Sequence, residues 1–388
     1  MAIARAAGYH ASVSIQRSGR FNFPTHKGER LAMTDSSRIS RREFTKTALA
    51  GTAAALGTPL VLTAKKTEAK TAIVGEGEHR YECLHDWGTL PNGHEYGGAS
   101  HGVAVDSQGR IYVTHHGGPG SIFVFDENGE FIKSMGEAHT EKNRGVGHGI
   151  DIRKEGGEEF LYLSPNNLTF GFAKMTLDGE LVWKKDRMAI KKDSGKYEGQ
   201  AAFRATNVNF APDGGYYLGD GYGSGWIHRY DKDDKYVSSF GGDGTADGKF
   251  KTPHGQWLDD RDGVPKVAVC DRANKRLQWF DLEGNFLKKL DGFLFPADID
   301  IQGEIMLVPD LHCRITLLDK SDKVITQLGE DPAWREKALA GFKMRGQRAN
   351  WQPGKFVHPH DACFDKEGNI FVAEWVVTGR VTKLRKVG

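Results

Sequence analysis

The sequence predicts an all-β fold, a six-bladed β-propeller running from about residue 78 to residue 388. Three observations predict it. A four-strand pattern recurs six times from residue 100 onward. D-x-x-G turns follow the third strands of the first and fourth copies. An unmatched strand, Arg80–His85, stands ahead of the first copy. Units of about 40–60 residues with four short strands each are the signature of propeller blades.

The chain ahead of the repeats reads differently. Ser40, Arg41, Arg42, Phe44 and Lys46 form an S-R-R-E-F-T-K phrase that resembles the twin-arginine translocation motif. The run 47–64 follows, rich in small and apolar residues, then Lys65 and Lys66. A basic region, a short apolar core and small residues at its end are the parts of a secretory signal. The run contains Pro59 and many Ala, Gly and Thr, so it is weak as a membrane span. Residues 1–69 are therefore expected to be an extension and signal read by the Tat export machinery. The expected location is periplasmic or extracellular, with membrane contact only through an uncleaved signal. Met33 offers an alternative start with a conventional basic region.

The blades follow in order. The first holds 100–106, 110–113, 121–126 and 128–133; the second opens at His148 and includes 160–163 and 177–183. The third opens near Asn207, the fourth at His254, the fifth near Ala297 and the sixth at His360. The sixth copy stops after three strands, so Arg80–His85 is expected to supply its outer strand and close the ring. Closure removes sheet edges that would otherwise invite aggregation. The insertions 136–147, 185–205, 241–253 and 329–356 all precede a blade's first strand and should gather on one face. The longest should carry a short helix over Pro332 to Ala340.

Composition excludes some classes. Lysine and arginine total 53 against 51 acidic residues, and nucleic-acid binding ordinarily requires a basic excess or patch. The four cysteines, Cys83, Cys270, Cys313 and Cys363, form no C-x-x-C pair. That argues against a thiolate zinc site and a dense disulfide framework. A small-molecule or peptide-derived substrate is the expected partner.

His148, His254 and His360 recur at intervals of 106 residues, two blades apart. The innermost strand of each blade lines the central channel, so the openings of blades two, four and six stand about 120° apart in a six-fold ring. Three imidazoles with an open fourth position make a catalytic zinc centre. His101, which breaks the alternation, is read as a rim or substrate-facing residue.

The phrases around these histidines resemble the lyase domain of peptidylglycine α-amidating enzymes, the peptidyl-α-hydroxyglycine α-amidating lyase family, and the repeats resemble NHL repeats. The resemblance rests on Leu218-Gly-Asp-Gly-Tyr222, Thr252-Pro-His-Gly255, Cys270-Asp-Arg-Ala-Asn274 and Pro359-His-Asp361, and covers residues 80–388. It implies catalytic Zn2+ on His148, His254 and His360, Tyr222 over the metal, and Arg272 lining the site. It further implies a structural Ca2+ held by Asp361 and the backbone carbonyls of Val103 and Ile150. His116 stands where the family carries an active-site arginine, and the family's two disulfides have no counterpart. These residue types suit cleavage of an N-acyl-α-hydroxyglycine, a carbinolamide, to an amide and glyoxylate: a metal acidifies the hydroxyl, a phenol near a cation can serve as base, and a guanidinium clamps a carboxylate. Two alternatives stand beside the lyase. One is a non-catalytic propeller binding a protein or glycan. The other is a lactonase-like metal hydrolase, whose ligands would be acidic rather than imidazole.

Overall fold

The computed structural model describes residues 71–137, 147–165 and 171–387. The expected export signal, Ser40 to Lys46 with the run after it, lies outside the described residues. Among the described residues no helix is long and apolar enough to cross a membrane.

Six antiparallel sheets carry the chain. Blades one to five each hold four consecutive strands. They open with Ser100–Val105, Gly149–Glu155, Val208–Phe210, Pro253–Asp259 and Asp300–Gln302 as innermost strands. Blade six is built from Pro359–Phe364, Ile370–Glu374 and Arg380–Lys386, and its fourth strand is Tyr81–Leu84, registered with Tyr81 opposite Lys386 and Leu84 opposite Lys383. The expected closure of the ring is therefore present. A fifth strand, Ile73–Val74, extends this sheet beyond the anticipated boundary. Blade two has a third strand, Phe172–Thr176, that its weak apolar pattern concealed.

Alternation along each strand packs blade against blade. In blade six, Ile370 and Val372 face Leu307 and Leu317 of blade five, while Phe371 and Ala373 face Val113 and Phe123 of blade one. The D-x-x-G aspartates hold the outer hairpins. Asp126 accepts from the backbone N–H groups of Asn128 and Glu130, and Asp281 from those of Glu283 and Asn285, at 2.7–3.1 Å. The anticipated helix spans Pro332–Leu339, capped by Asp331, whose carboxylate accepts from the Trp334 N–H. A second helix, Arg187–Ser194, occupies the blade two–three insertion, with Asp186 as N-cap and Gly195 at φ 61° as its C-terminal stop.

A buried carboxylate ends the second strand of blades three to six and takes a backbone N–H from the chain entering that blade. Asp220 accepts from Arg204 (2.7 Å), Asp271 from Lys251 (2.7 Å), Asp310 from Leu294 and Phe295 (2.7 and 2.8 Å), and Glu374 from Val357 (2.8 Å). All four side chains are fully buried. In blades four to six the arginine opening the third strand is the counter-charge: Arg276 to Asp271 (2.8 Å), Arg314 to Asp310 (3.7 Å), Arg380 to Glu374. Removing one partner of a buried ion pair leaves the other uncompensated, at about 3–5 kcal/mol. Asp271→Ala, which leaves the Lys251 N–H unpaired and Arg276 with only the more exposed Asp247 as carboxylate partner, should therefore lose about 3–5 kcal/mol of unfolding free energy by urea titration; a loss below about 1 kcal/mol would contradict this role.

Candidate functional site

The pinned loops deliver one residue from each blade to the mouth of the channel. In blade order these are His101, His148, Thr206, His254, Ala297 and His360. The next residues form a second ring: Gly102, Gly149, Asn207, Gly255, Asp298 and Asp361. Glycine is required in this ring by close approach. A Cβ on Gly149 would lie 2.5 Å from the Thr206 carbonyl oxygen, and one on Gly255 2.1 Å from an Asp298 carboxylate oxygen.

The first ring brings its imidazoles together. Ring centroids lie 5.1 Å apart for His148 and His254, 4.9 Å for His148 and His360, and 4.8 Å for His254 and His360. Each is oriented by the carbonyl at the equivalent position of the next blade. The Nδ1–H of His148 donates to Thr206 (2.9 Å), that of His254 to Ala297 (2.7 Å), and that of His360 to His101 (3.1 Å). A carbonyl only accepts, so each Nδ1 carries the proton and each Nε2 is left with a lone pair. Tyr222, from the loop after blade three's second strand, sits between two of these nitrogens. Its Oη is 3.0 Å from His148 Nε2 and 2.9 Å from His254 Nε2. One hydroxyl proton cannot satisfy two acceptors, and a cation among these atoms resolves the conflict. The donor set therefore fits a metal.

His101 is not a rim residue. It is buried, its ring lies 5.0 Å from His148 and 4.6 Å from His360, and neither of its nitrogens has a hydrogen-bond partner. Ligand nitrogens of His101, His148 and His360 fall within 4.8 Å of one another, a set from which His254 is absent. His101 lacks the carbonyl orientation that the other three share, whereas His254 has it and shares Tyr222 with His148. The His116 ring lies beside that of His101, with centroids 4.2 Å apart. Burial holds all these imidazoles neutral: His148 is lowered to about 3, His101, His254 and His360 well below their ordinary value, and His116 in the same direction.

Arg272, in the turn after blade four's second strand, lies with its guanidinium 5.3 Å from the Tyr222 ring centroid and 5.0 Å from that of Phe295. It is buried, and its Nε has no hydrogen-bond partner. Two residues from the blade five–six side were not anticipated. His358 donates Nδ1–H to the Leu311 carbonyl at 2.7 Å. Arg345, from the long insertion, covers Trp375 with its guanidinium 3.2 Å from the ring centroid.

Below the histidines the channel turns acidic. Val103, Ile150 and Asp361 line a cavity of about 140 Å³ together with Asp151, Asp298 and Asp300. Asp361 accepts from the Val103 N–H at 3.0 Å, and Asp298 from Asn207 Nδ2 at 3.0 and 3.1 Å. Asp298 and Asp361 face each other within hydrogen-bond reach, an arrangement that requires a shared proton or a cation. Burial raises Asp300 to about 6, and burial with mutual repulsion holds Asp151 and Asp361 well above the carboxylate range. Sequence reasoning missed Asp298 and Asn207, although the position after each opening residue would have found them. All four cysteines are unpaired thiols.

No family model matches the chain. The fold is similar to a solved streptogramin B lyase, with a TM-score of 0.50 and 12% identity over 80% of this chain and 99% of that one. A selenomethionine-substituted virginiamycin B lyase from Staphylococcus aureus gives a TM-score of 0.49 and 13% identity over 79% and 100% of the two chains. A stretch of 53 residues, 14% of this chain, is 42% identical to Protein lin-41 of Caenorhabditis elegans, of which the match covers 4%. At these identities the likeness to solved structures concerns the fold, a six-bladed NHL-like propeller.

The acidic ring has a pH consequence. A carboxyl whose folded pKa is raised favours the native state while protonated, and that contribution is lost as pH rises through the folded value. Asp298→Asn removes one charge while keeping an acceptor for the Ile299 N–H. In EGTA, its melting temperature relative to wild type should rise progressively between pH 4 and 7; a pH-independent difference would exclude charge repulsion in this ring.

Proposed function

We propose that the protein is a zinc-dependent lyase that cleaves a carbinolamide of the N-acyl-α-hydroxyglycine type to an amide and glyoxylate. The observation that carries this reading is the Tyr222 hydroxyl, poised over the lone pairs of two carbonyl-oriented histidines and beside an unpaired guanidinium. A non-catalytic platform gives no account of polar groups buried at such cost, and a lactonase-like centre would place carboxylates where imidazoles stand. His148, His254 and His360 would hold the zinc, because these three share one orientation. Bound there, zinc would acidify a hydroxyl and polarise its oxygen. Tyr222 takes the hydroxyl proton and returns it to the departing nitrogen. The O–H electron pair becomes the C=O of glyoxylate as the C–N pair leaves with the amide nitrogen. Arg272 holds the charge that develops on the glyoxylate half.

We infer that the acidic cavity has a structural role, in which Asp361 and Asp298, with the backbone carbonyls of Val103 and Ile150, would hold Ca2+. Oxygen-rich sites of this kind suit calcium, and the cation would relieve the carboxylate pair.

In the zinc-loaded protein, Tyr222→Phe should lower glyoxylate release about 10²–10⁴-fold while zinc content stays unchanged. His254→Ala should lose zinc and activity, and His101→Ala should keep zinc; the opposite result would give the centre to His101, His148 and His360. Wild type releasing no glyoxylate above the spontaneous rate would refute the substrate class. Calcium at a hundredfold excess over its dissociation constant should stabilise wild type by about 2.7 kcal/mol, and Asp361→Asn should abolish that gain; an equal shift in both proteins would place calcium elsewhere.

A further inference from the structure

The long insertion between blades five and six ends its helix at Leu339 and continues through a tight 3-10 segment, Ala340–Gly346. Gly341 and Phe342 both adopt left-handed backbone there, at φ 62° and 55°. A bulky residue in that region is strained and persists only where its surroundings hold it. Phe342 is held by stacking on His358, with ring centroids 5.5 Å apart. The reversal sets Arg345 against the mouth of the channel. Its Nε donates to the Trp375 carbonyl at 3.0 Å, its guanidinium lies on the Trp375 ring, and one terminal nitrogen leans toward the Gly98 carbonyl at 3.5 Å.

These contacts fix its side of the ring. Trp375 belongs to blade six and Gly98 precedes blade one, so Arg345 stands over the blade six–one side. Arg272, between Tyr222 and Phe295, stands over the blade three–five side. The two charges reach different histidines. Arg345 acts on His101, His116 and His358, and Arg272 on His148, His254 and His360. Among the described residues neither guanidinium has a carboxylate within ion-pair distance. The mouth is thus flanked by two guanidinium charges that have no ion-pair partner of their own among the described residues. Arg272 is buried with its Nε unpartnered, and Arg345, half-buried, has only carbonyl and ring contacts; an anion bound between them would be stabilised by both charges.

We propose that Arg345 is a specificity-determining residue that binds the carboxylate of the substrate, facing Arg272 across the histidine cluster. The inference rests on the proposed carbinolamide substrate for its reaction, but the anion preference can be read without turnover. A fork of N–H groups on an aromatic platform discriminates a planar carboxylate from its neutral amide.

The test uses N-benzoylglycine, an unreactive carboxylate analogue, and its neutral carboxamide, with binding followed by calorimetry on the metal-loaded protein. Wild type should bind the carboxylate in preference to the carboxamide. Arg345→Ala should weaken carboxylate binding roughly 10- to 100-fold, as expected for hydrogen bonds to a charged group, and leave carboxamide binding unchanged. Arg345→Lys should recover part of the loss, and Arg345→Gln none. In turnover of an N-acyl-α-hydroxyglycine the Arg345→Ala effect should fall on KM more than on kcat. No binding of N-benzoylglycine to wild type, equal binding to wild type and Arg345→Ala, or equal losses for carboxylate and carboxamide would overturn the proposal. Arg345-dependent binding without glyoxylate release would refute the lyase and keep the clamp. Glyoxylate release with an unchanged KM in Arg345→Ala would do the reverse.

Discussion

The site depends on the buried carboxylates that end the second strands. A propeller blade leaves its inner strand free along one edge, and the chain reaches that strand after crossing from the preceding blade's rim. Without a fixed anchor the opening residue would sample many positions. Asp220, Asp271, Asp310 and Glu374 supply the anchor by accepting a backbone N–H two or three residues before the opening position. Burial strengthens this bond, because the competing water is gone. It also requires a counter-charge, and Arg276, Arg314 and Arg380 provide it in three of the four blades. The arginine that recurs at the start of the third strand is therefore an electrostatic necessity of the loop two strands away.

With the openings fixed, the channel sorts itself into two chemically distinct levels. At the mouth, imidazoles are neutralised by burial and turned inward by the carbonyls of neighbouring blades. One residue further along, glycines let the strands approach while Asn207, Asp298 and Asp361 project polar groups. The upper level presents imidazole lone pairs, and the lower a group of buried carboxylates. Among the described residues, Arg272 and Arg345 bring positive charge to the flanks. On the proposed reading, imidazole donors at the centre with guanidinia at the edges suit an anionic ligand carrying one group that a metal would acidify.

Much of this was legible because strand alternation and turn chemistry are local. Short apolar runs separated by D-x-x-G marked the blades, and the 106-residue interval placed His148, His254 and His360 at equivalent positions. The arrest of the sixth copy after three strands required an outside strand, and Tyr81–Leu84 fills that place. Other features were illegible for physical reasons. The helix Arg187–Ser194 is a short element whose cap, Asp186, and stop, Gly195, are common loop residues. His101 broke the alternation, so its position in the same ring was discounted. Arg345 lies in an insertion with no repeat register, and only the left-handed turn at Gly341 and Phe342 brings it to the channel.

The bond from His360 Nδ1 to the His101 carbonyl spans 259 residues of sequence. Blade one leaves the ribosome early and blade six last, so the third imidazole finds its orienting carbonyl only when the final blade docks on the first. The same docking pairs Tyr81–Leu84 with Arg380–Lys386. Maturation of the centre is thus coupled to completion of the whole ring. A chain with only its first five blades formed would lack the third carbonyl-oriented imidazole of the proposed centre.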